Sequence, residues 1–424
     1  MTAAMVRRSV WSAAAICALA FGGASAASAD EVVPGDWYVE TWGVQESLDA
    51  GNDGAGVQVA VIDTQFNPEV PTLQGVDLTI APPICYDQSG ALVPAATDSL
   101  EAAHGTNSVS LIAGTGAGYP GQTGVRGAAP RAKVTGYAAA YSAPGFSTGL
   151  IQCIDVDGEP TSGIDERFED ALDDGADIIT IQLTVGLLDS ELVARAMREG
   201  VIVLAGLDNE PVDEMGTLGL AMQNGVVGVQ AIDAYGDPQN GAGSTDIAVD
   251  VAAPGVGMTA QAGPGATSWE QQTIQSGTSD ATPFTAGVLA AVWSKYPDAT
   301  GNQILQSMVR NTGLEDHELT RDDSLGYGIL SLRHMLSEDP TQYDDVNPLI
   351  VDDREFTDQA EFEFPRYEEI FPDSVTPAPS DEPGQNGSLL SAVMPLLLIG
   401  GGIGLIVLIG VVVLIVVLVR RKKH

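Results

Sequence analysis

The chain has 424 residues, with 57 acidic and 18 basic side chains and a formal net charge of −39. This length allows one large domain with flanking segments. Such a negative charge argues against nucleic acid as a partner, because phosphate binding needs clustered basic residues, and it favours solubility at high ionic strength.

The first 29 residues have the order of a secretory signal peptide. Arg7 and Arg8 precede a short apolar run, and Ala27-Ser28-Ala29 has the A-x-A pattern of a cleavage site. A retained membrane helix is the less favoured alternative, because the apolar run is short and ends in small residues. We therefore predict export. The N-terminal extension that follows, residues 30–56, is too short to fold alone and is expected to wrap on the next domain.

A carboxylate ends the first strong strand pattern. Residues 57–62 form a short apolar run rich in β-branched side chains, and Asp63 follows it. This pattern predicts a strand of a parallel sheet that is buried on both faces. Sites in open α/β sheets form at the carboxyl ends of strands. Asp63 is therefore a candidate functional residue.

A histidine lies at the start of a predicted helix. His104 precedes Gly105-Thr106 and then a helical apolar pattern, whereas His317, His334 and His424 lie in polar or terminal settings. An imidazole that ionises near neutral pH is the usual general base of an enzyme. His104 is the candidate for that role.

Two further motifs complete a possible catalytic set. Asn209 follows the buried-strand pattern of residues 201–205, and Gly277-Thr278-Ser279 leads into the apolar stretch 284–293. The second pattern predicts a turn that delivers the hydroxyl of Ser279 to the first turn of a buried helix. A serine nucleophile needs a base, a carboxylate that orients the base, and donors for the oxyanion. The amide of Asn209 and the N–H of Ser279 are the candidate donors.

The order Asp63, His104, Asn209, Ser279 and the surrounding strings resemble the subtilase family of serine proteases. The resemblance spans about residues 36–336. It implies a subtilisin-like α/β fold over residues 57–336, with a mostly parallel central sheet and helices on both faces. It also implies a catalytic triad of Asp63, His104 and Ser279, an oxyanion hole of Asn209 and Ser279, and cleavage of protein or peptide substrates.

The same resemblance implies which residues bind substrate. These are expected to be Gln182, Leu183, Thr184, Ala205, Gly206 and Leu207. The chemistry of such a site requires no cofactor. Structural calcium is compatible with the family and with the acidic loops of this chain, but the sequence identifies no ligands.

The chain departs from the family pattern beside three of these groups. The family usually has Gly where Gln65 and Asp208 stand, and Met where Asp280 stands. We expect Asp208 and Asp280 to raise the pKa of His104 by favouring its charged form. For Asp280, stabilisation of the helix dipole is the alternative role.

The cysteines predict one disulfide. Cys17 belongs to the signal peptide, so Cys85 and Cys153 are the pair that remains in the exported chain. Two buried free thiols are the alternative. A metal centre is not expected, because no Cys and His residues cluster at ligand spacing.

The C-terminal part predicts a tether and a membrane anchor. Residues 337–388 are acidic and contain repeated prolines, which favours an extended chain, although the aromatic segment 356–371 has the character to dock on the domain or on a partner. Residues 396–419 are apolar, uncharged and long enough to cross a bilayer. The basic tail 420–424 predicts a cytoplasmic C-terminus and an extracytoplasmic domain.

The order of a signal peptide, a subtilase-like domain, a proline-containing tether and one C-terminal membrane span resembles the mycosins. These are the membrane-anchored subtilases of type VII secretion systems. The resemblance implies a membrane complex of such a system as a partner. A catalytically weak or inactive scaffold that stabilises the complex is the alternative function. A general nutritional protease is disfavoured by the predicted anchor. The intact set Asp63, His104, Asn209 and Ser279 favours a working enzyme.

Overall fold

The computed structural model describes residues 35–350, except 88, 143–149, 152, 156, 162, 184, 211–218 and 242–243, and also residues 370–371. These residues belong to the first of two compact units, residues 1–372, and the second unit, residues 373–424, lies outside the described part. The α-helices are α1 Trp37–Thr41, α2 Val44–Asp49, α3 Ala103–Ala113, α4 Ile164–Asp173, α5 Ser190–Glu199, α6 Thr278–Lys295, α7 Gly301–Arg310 and α8 Leu332–Ser337.

The strands are β1 Gln58–Asp63, β2 Leu78–Ile80, β3 Thr115–Ala117, β4 Thr123–Arg126, β5 Lys133–Ala138, β6 Tyr141–Ser142, β7 Leu150–Ile151, β8 Cys153–Ile154, β9 Pro160–Thr161, β10 Ile178–Ile181, β11 Ile202–Gly206, β12 Val227–Ile232, β13 Val251–Pro254, β14 Met258–Gln261 and β15 Gln272–Gln275. Seven of them form one parallel sheet in the order β13-β12-β11-β10-β1-β5-β2. All carboxyl ends of these strands therefore lie along one edge of the sheet.

Both faces of the sheet are buried. Along β1, Val59 and Val61 belong to one hydrophobic core, while Ala60 and Ile62 belong to a second. Residues of α3 and α6 line the first core, and residues of α4 and α5 line the second. The alternation follows from the two-residue period of a strand. The predicted parallel sheet with helices on both faces is confirmed.

The segment before the first strand packs on the domain. Tyr38 is 1% exposed, and its ring meets Phe284 of α6 edge to face at a centroid distance of 5.2 Å. Its hydroxyl donates to the carbonyl of Arg126 at 2.7 Å. Arg333 of α8 donates to the carbonyls of Glu40 and Thr41. Residues 35–56 are thus part of the folded unit.

Packing continues past the predicted domain boundary at residue 336. Leu349 is 1% exposed and joins the first core, and Asn347 donates to the carbonyl of Gly225 at 3.1 Å. Ile370, also 1% exposed, joins the second core, and its carbonyl accepts from Arg198 at 3.3 Å. The start of the predicted tether and the end of its aromatic segment therefore dock on the domain, because their apolar side chains fill the two cores.

The predicted signal peptide and the predicted span, residues 396–419, lie outside the described residues. Among the residues that the structure describes, no helix has the length and apolar character needed to cross a bilayer.

A disulfide joins Cys85 and Cys153, as predicted from the sequence. Both residues are buried, and their bond closes a sequence separation of 68 residues. It connects the loop after β2 with β8. A crosslink over a separation of this size stabilises by about 4–5 kcal/mol in the chain-entropy description.

Candidate active site

The centre of the site is the carboxylate of Asp63 at the end of β1. The side chain is fully buried, and its Oδ1 accepts from the N–H of Thr64 at 2.5 Å. Its other oxygen, Oδ2, accepts from Ser108 Oγ at 2.7 Å. Burial alone would raise the pKa of Asp63, but the charge and hydrogen bond of His104, with the bonds from Thr64 and Ser108, lower that pKa overall. Asp63 is therefore held as an anion.

His104 is the second residue of α3, and its Nδ1 lies 2.6 Å from Asp63 Oδ1. This contact fixes a proton on Nδ1 and leaves Nε2 as the basic nitrogen. The ring is 40% exposed. Burial lowers the pKa of His104, but the charge and hydrogen bond of Asp63, and then the charge of Asp280, raise it overall.

Close backbone packing explains the glycine that follows the histidine. A Cβ at Gly105 would lie 2.7 Å from the carbonyl oxygen of Gln65. The N–H of Gly105 donates to Thr64 Oγ1 at 3.1 Å, so the start of α3 is tied to the end of β1. Gln65 fits at this position because it is buried and its amide donates to the carbonyl of Pro94 at 2.7 Å.

Ser279 lies in the first turn of α6, as the sequence predicts, and Asn209 follows β11. Asn209 Oδ1 accepts from the N–H of Thr278 at 2.9 Å, which leaves its Nδ2 as a donor. A methyl group added to Gly277 would lie 2.9 Å from Ser279 Oγ and 3.6 Å from Asn209 Nδ2. The nucleophile candidate and the amide therefore face the same small space, which glycine keeps open.

No hydrogen bond joins Ser279 Oγ to His104 within the described residues. Catalytic hydrogen bonds are commonly long in ligand-free enzymes and tighten when substrate binds. The structure thus brings Asp63 and His104 into contact and places Ser279 Oγ and the amide of Asn209 next to Gly277.

A second buried carboxylate lies next to the serine. Asp280 is 2% exposed, and its Oδ1 accepts from the amide of Gln275 at 2.5 Å. Its Oδ2 has no hydrogen-bond partner in the described part of the chain. Burial raises the pKa of Asp280 to about 7, although the bond from Gln275 and the charge of His104 oppose this shift.

The residues expected to bind substrate are mostly buried. The side chains of Gln182, Leu183, Ala205 and Leu207 are 6%, 5%, 3% and 2% exposed, and Gly206 is half-buried. Thr184 lies outside the described residues. Gln182 and Leu183 follow β10, Ala205 and Gly206 end β11, and Leu207 follows β11, so these five residues lie at the carboxyl ends of two sheet strands.

Sequence reasoning missed Thr64 and Ser108 as polar neighbours of Asp63, and it expected Gln182 to contact substrate instead of Asp63. Ser108 had a usable signal, because a residue four positions after His104 lies on the same helix face. For metal binding, the described residues contain no group of three or more His, Cys, Asp or Glu side chains that could hold an ion.

An α/β fold with a buried Asp–His pair, a serine in a helical turn and an asparagine beside it is the arrangement of a serine hydrolase. The model of the subtilase family matches residues 54–328, and the chain belongs to this family. The order of the motifs agrees with this assignment.

Similar proteins include bacterial proteases. The chain is 29% identical over 277 residues to the thermostable alkaline protease of Halalkalibacterium halodurans, covering 64% of this chain and 66% of that protein. It is 29% identical over 318 residues to fervidolysin of Fervidobacterium pennivorans, covering 70% of this chain and 43% of fervidolysin. The chain therefore spans less than two thirds of the length of these relatives.

The crystal structure of fervidolysin, a keratinolytic enzyme related to subtilisin, has a similar fold. Its TM-score is 0.53 at 23% sequence identity, and the match covers 71% of this chain and 45% of that one. This similarity supports the fold.

Proposed function

We propose that the protein is a serine endopeptidase that cleaves exported proteins outside the cytoplasm. The observation that carries this proposal is the contact between buried Asp63 and His104 Nδ1 at 2.6 Å. This contact prepares Nε2 to accept a proton. The four proposed catalytic groups lie at the end of β1, in α3, in the loop after β11 and in the first turn of α6.

In the proposed reaction, Ser279 Oγ attacks the peptide carbonyl while its proton passes to His104 Nε2. Asp63 stabilises the imidazolium and holds its orientation. Asn209 Nδ2 and the N–H of Ser279 donate to the oxyanion. The imidazolium then gives its proton to the leaving amine as the C–N bond breaks. Water then attacks the acyl carbon while His104 accepts its proton, and the imidazolium returns that proton to Ser279 Oγ as the ester bond breaks and the acid product leaves. The protein's own groups carry each step, so no cofactor is part of the proposal.

A fluorophosphonate probe tests this assignment. We expect it to label the purified wild-type ectodomain at Ser279, and we expect Ser279→Ala to lose labelling and peptide cleavage while remaining folded. Ser276→Ala is the matched control, because Ser276 lies three residues earlier, between β15 and α6, is exposed and bonds only to the N–H of Gly257 in the described structure. Undiminished cleavage by pure Ser279→Ala protein would disprove the role of the serine.

The proposal extends to a mycosin-like protein that is anchored by residues 396–419 and linked to type VII secretion. The N-terminal signal pattern, the apolar stretch and the basic tail of the sequence support it. In the producing cells, a C-terminal epitope should become accessible only after permeabilisation, and the protein should stay in the membrane after a carbonate wash. Release by that wash would contradict the anchor.

Asp280 favours a second candidate function, a scaffold of a secretion complex with weak or absent catalysis. A carboxylate buried beside the nucleophile opposes the development of negative charge on the oxyanion when it is ionised. A scaffold predicts that Ser279→Ala leaves assembly of the membrane complex unchanged and that the probe does not label the wild type. Labelling of the wild type at Ser279 would reject the inactive form of this candidate.

A further inference from the structure

Gln182 is the first residue after β10, at the point where the pairing of β10 with β1 ends at Ile181 and Ile62. Its side chain is 6% exposed. The oxygen and nitrogen of an amide are distinguished by their partners. Only one orientation satisfies both ends here, with Oε1 accepting from Thr180 Oγ1 at 2.7 Å. In that orientation Nε2 lies 3.2 Å from Asp63 Oδ2 and 3.3 Å from the carbonyl oxygen of Ile62.

The carboxylate of Asp63 has room for this donor. Its Oδ1 already faces two N–H donors, from His104 and Thr64, whereas Oδ2 has one other donor, Ser108 Oγ. A carboxylate has about four acceptor positions. A buried carboxylate stays charged only when donors replace its lost hydration. With the amide of Gln182, each oxygen of Asp63 has two donors.

We infer that Gln182 is a positioning residue, which fixes the plane of the Asp63 carboxylate and thereby the orientation of the His104 ring. The inference rests on the proposed serine protease function, and it replaces a substrate contact as the role of this side chain. Thr180 orients the amide, and the contact with Ile62 extends the link between β1 and β10 by one residue.

Gln182→Leu removes the amide at similar volume. Loss of a hydrogen bond to a charged group predicts a fall of about tenfold in kcat, with KM nearly unchanged, because the amide acts on the catalytic pair and not on the substrate. Gln223→Leu is the matched control. Gln223 is 2% exposed and bonds the backbone of Leu188 through both ends of its amide, at 2.9 and 3.1 Å. We expect it to lower stability and leave kcat unchanged.

A spectroscopic measurement separates this inference from the proposed function. The Nδ1 proton between His104 and Asp63 should give a low-field proton NMR resonance. That resonance should shift or broaden in Gln182→Leu and stay in place in Gln223→Leu. It can be recorded on Ser279→Ala protein, so it does not depend on activity. If the wild type is inactive but the resonance responds, the proposed function fails and the positioning role stands.

Three results would overturn the inference. These are a raised KM at unchanged kcat, an equal fall of kcat in Gln223→Leu, and a resonance that does not respond. If Gln182→Leu does not fold, Thr180→Val provides the same test with a smaller structural change, because it removes only the hydroxyl that orients the amide. A smaller fall in kcat with the same NMR response is expected for that variant.

Discussion

Two carboxylates inside the domain have opposite ionisation behaviour. Asp63 at the end of β1 and Asp280 in the first turn of α6 are 0% and 2% exposed. Asp63 faces His104 and several donors, and its pKa is lowered. Asp280 has one donor on one oxygen, and its pKa is raised to about 7. Burial is common to both sites, so the donors and the nearby charges decide which carboxylate stays ionised.

Removing the charge of Asp63 should have the largest effect, a loss of kcat. Asp63→Asn keeps the size of the side chain but replaces an acceptor with an amide, which favours the wrong tautomer of His104. We expect kcat to fall about 10⁴-fold. Asp177→Asn is the control, because Asp177 accepts from the N–H of Gln58 at the opposite end of β1. Steady-state kinetics on one peptide measures both variants, and a fall of less than tenfold for Asp63→Asn would show that the pair is not catalytic.

Asp280, which has a hydrogen-bond donor on only one oxygen, should change the pH dependence of the free energy of unfolding. The pKa of Asp280 is about 7 in the folded protein, whereas the ordinary pKa of an aspartate is 3.8. Its contribution to the free energy of unfolding is therefore fully present below pH 3.8 and is lost as the pH rises through 7. The Asp280→Asn variant has no carboxyl group that titrates at this position. Its free energy of unfolding should therefore rise relative to that of the wild type by about 1.4 kcal/mol per pH unit between these two pKa values. Urea unfolding at pH 4.5, 6 and 8 measures the difference, and a constant difference would mean that Asp280 does not change ionisation in this range.

Removing one hydrogen-bond donor from Asp63 should bring its pKa closer to the raised pKa of Asp280. Ser108→Ala removes one donor from Asp63 Oδ2, which should raise the pKa of Asp63 and lower kcat about fivefold. Ser110→Ala is the control on the same helix, since Ser110 Oγ donates only to the carbonyl of Thr106 in the described structure. Equal kinetics for the two variants would show that Ser108 does not support the catalytic pair.

The smallest expected effect is a shift of the acidic limb of the activity profile. Asp280 raises the pKa of His104 when it is ionised, and His104 must be neutral to act as a base. Asp280→Met should therefore move the acidic limb of kcat/KM downward by less than one pH unit. Asp208→Gly should move it less, because Asp208 is only half-buried and solvent screens its charge. An unchanged limb in Asp280→Met would leave this carboxylate with a structural role.

Strand and helix patterns predicted the position of each catalytic candidate, because they depend on local periodicity. Asp63 ends a strand, His104 begins a helix, and Ser279 lies in the first turn of α6. The contact of Gln182 with Asp63 could not be predicted in this way, because it depends on the orientation of an amide across two strands that are distant in sequence. The donor role of Thr64 likewise depends on local backbone direction.

The burial of Asp280 was hidden from the sequence, and the docking of Ile370 on the domain was one of the alternatives that the sequence left open. A carboxylate in the first turn of a helix usually faces solvent, where it stabilises the helix dipole. Ile370 lies within an acidic segment of low hydrophobicity, which by composition favours an extended chain. In both cases the tertiary packing overrides the local preference, since α6 begins inside the domain and the second core accepts one more apolar side chain.

The contacts of α1 and of Trp42, the residue after it, have a consequence for the order of folding. Trp37 Nε1 donates to the carbonyl of Val256, and Trp42 Nε1 donates to the carbonyl of Leu330, across 219 and 288 residues of sequence. The first helix of the described residues therefore finds its partners only after nearly the whole domain has been synthesised. Contacts of such long sequence separation slow folding. Folding of this domain should thus nucleate in segments that lie C-terminal to α1 in the sequence. The docking of α1 should be one of the last steps.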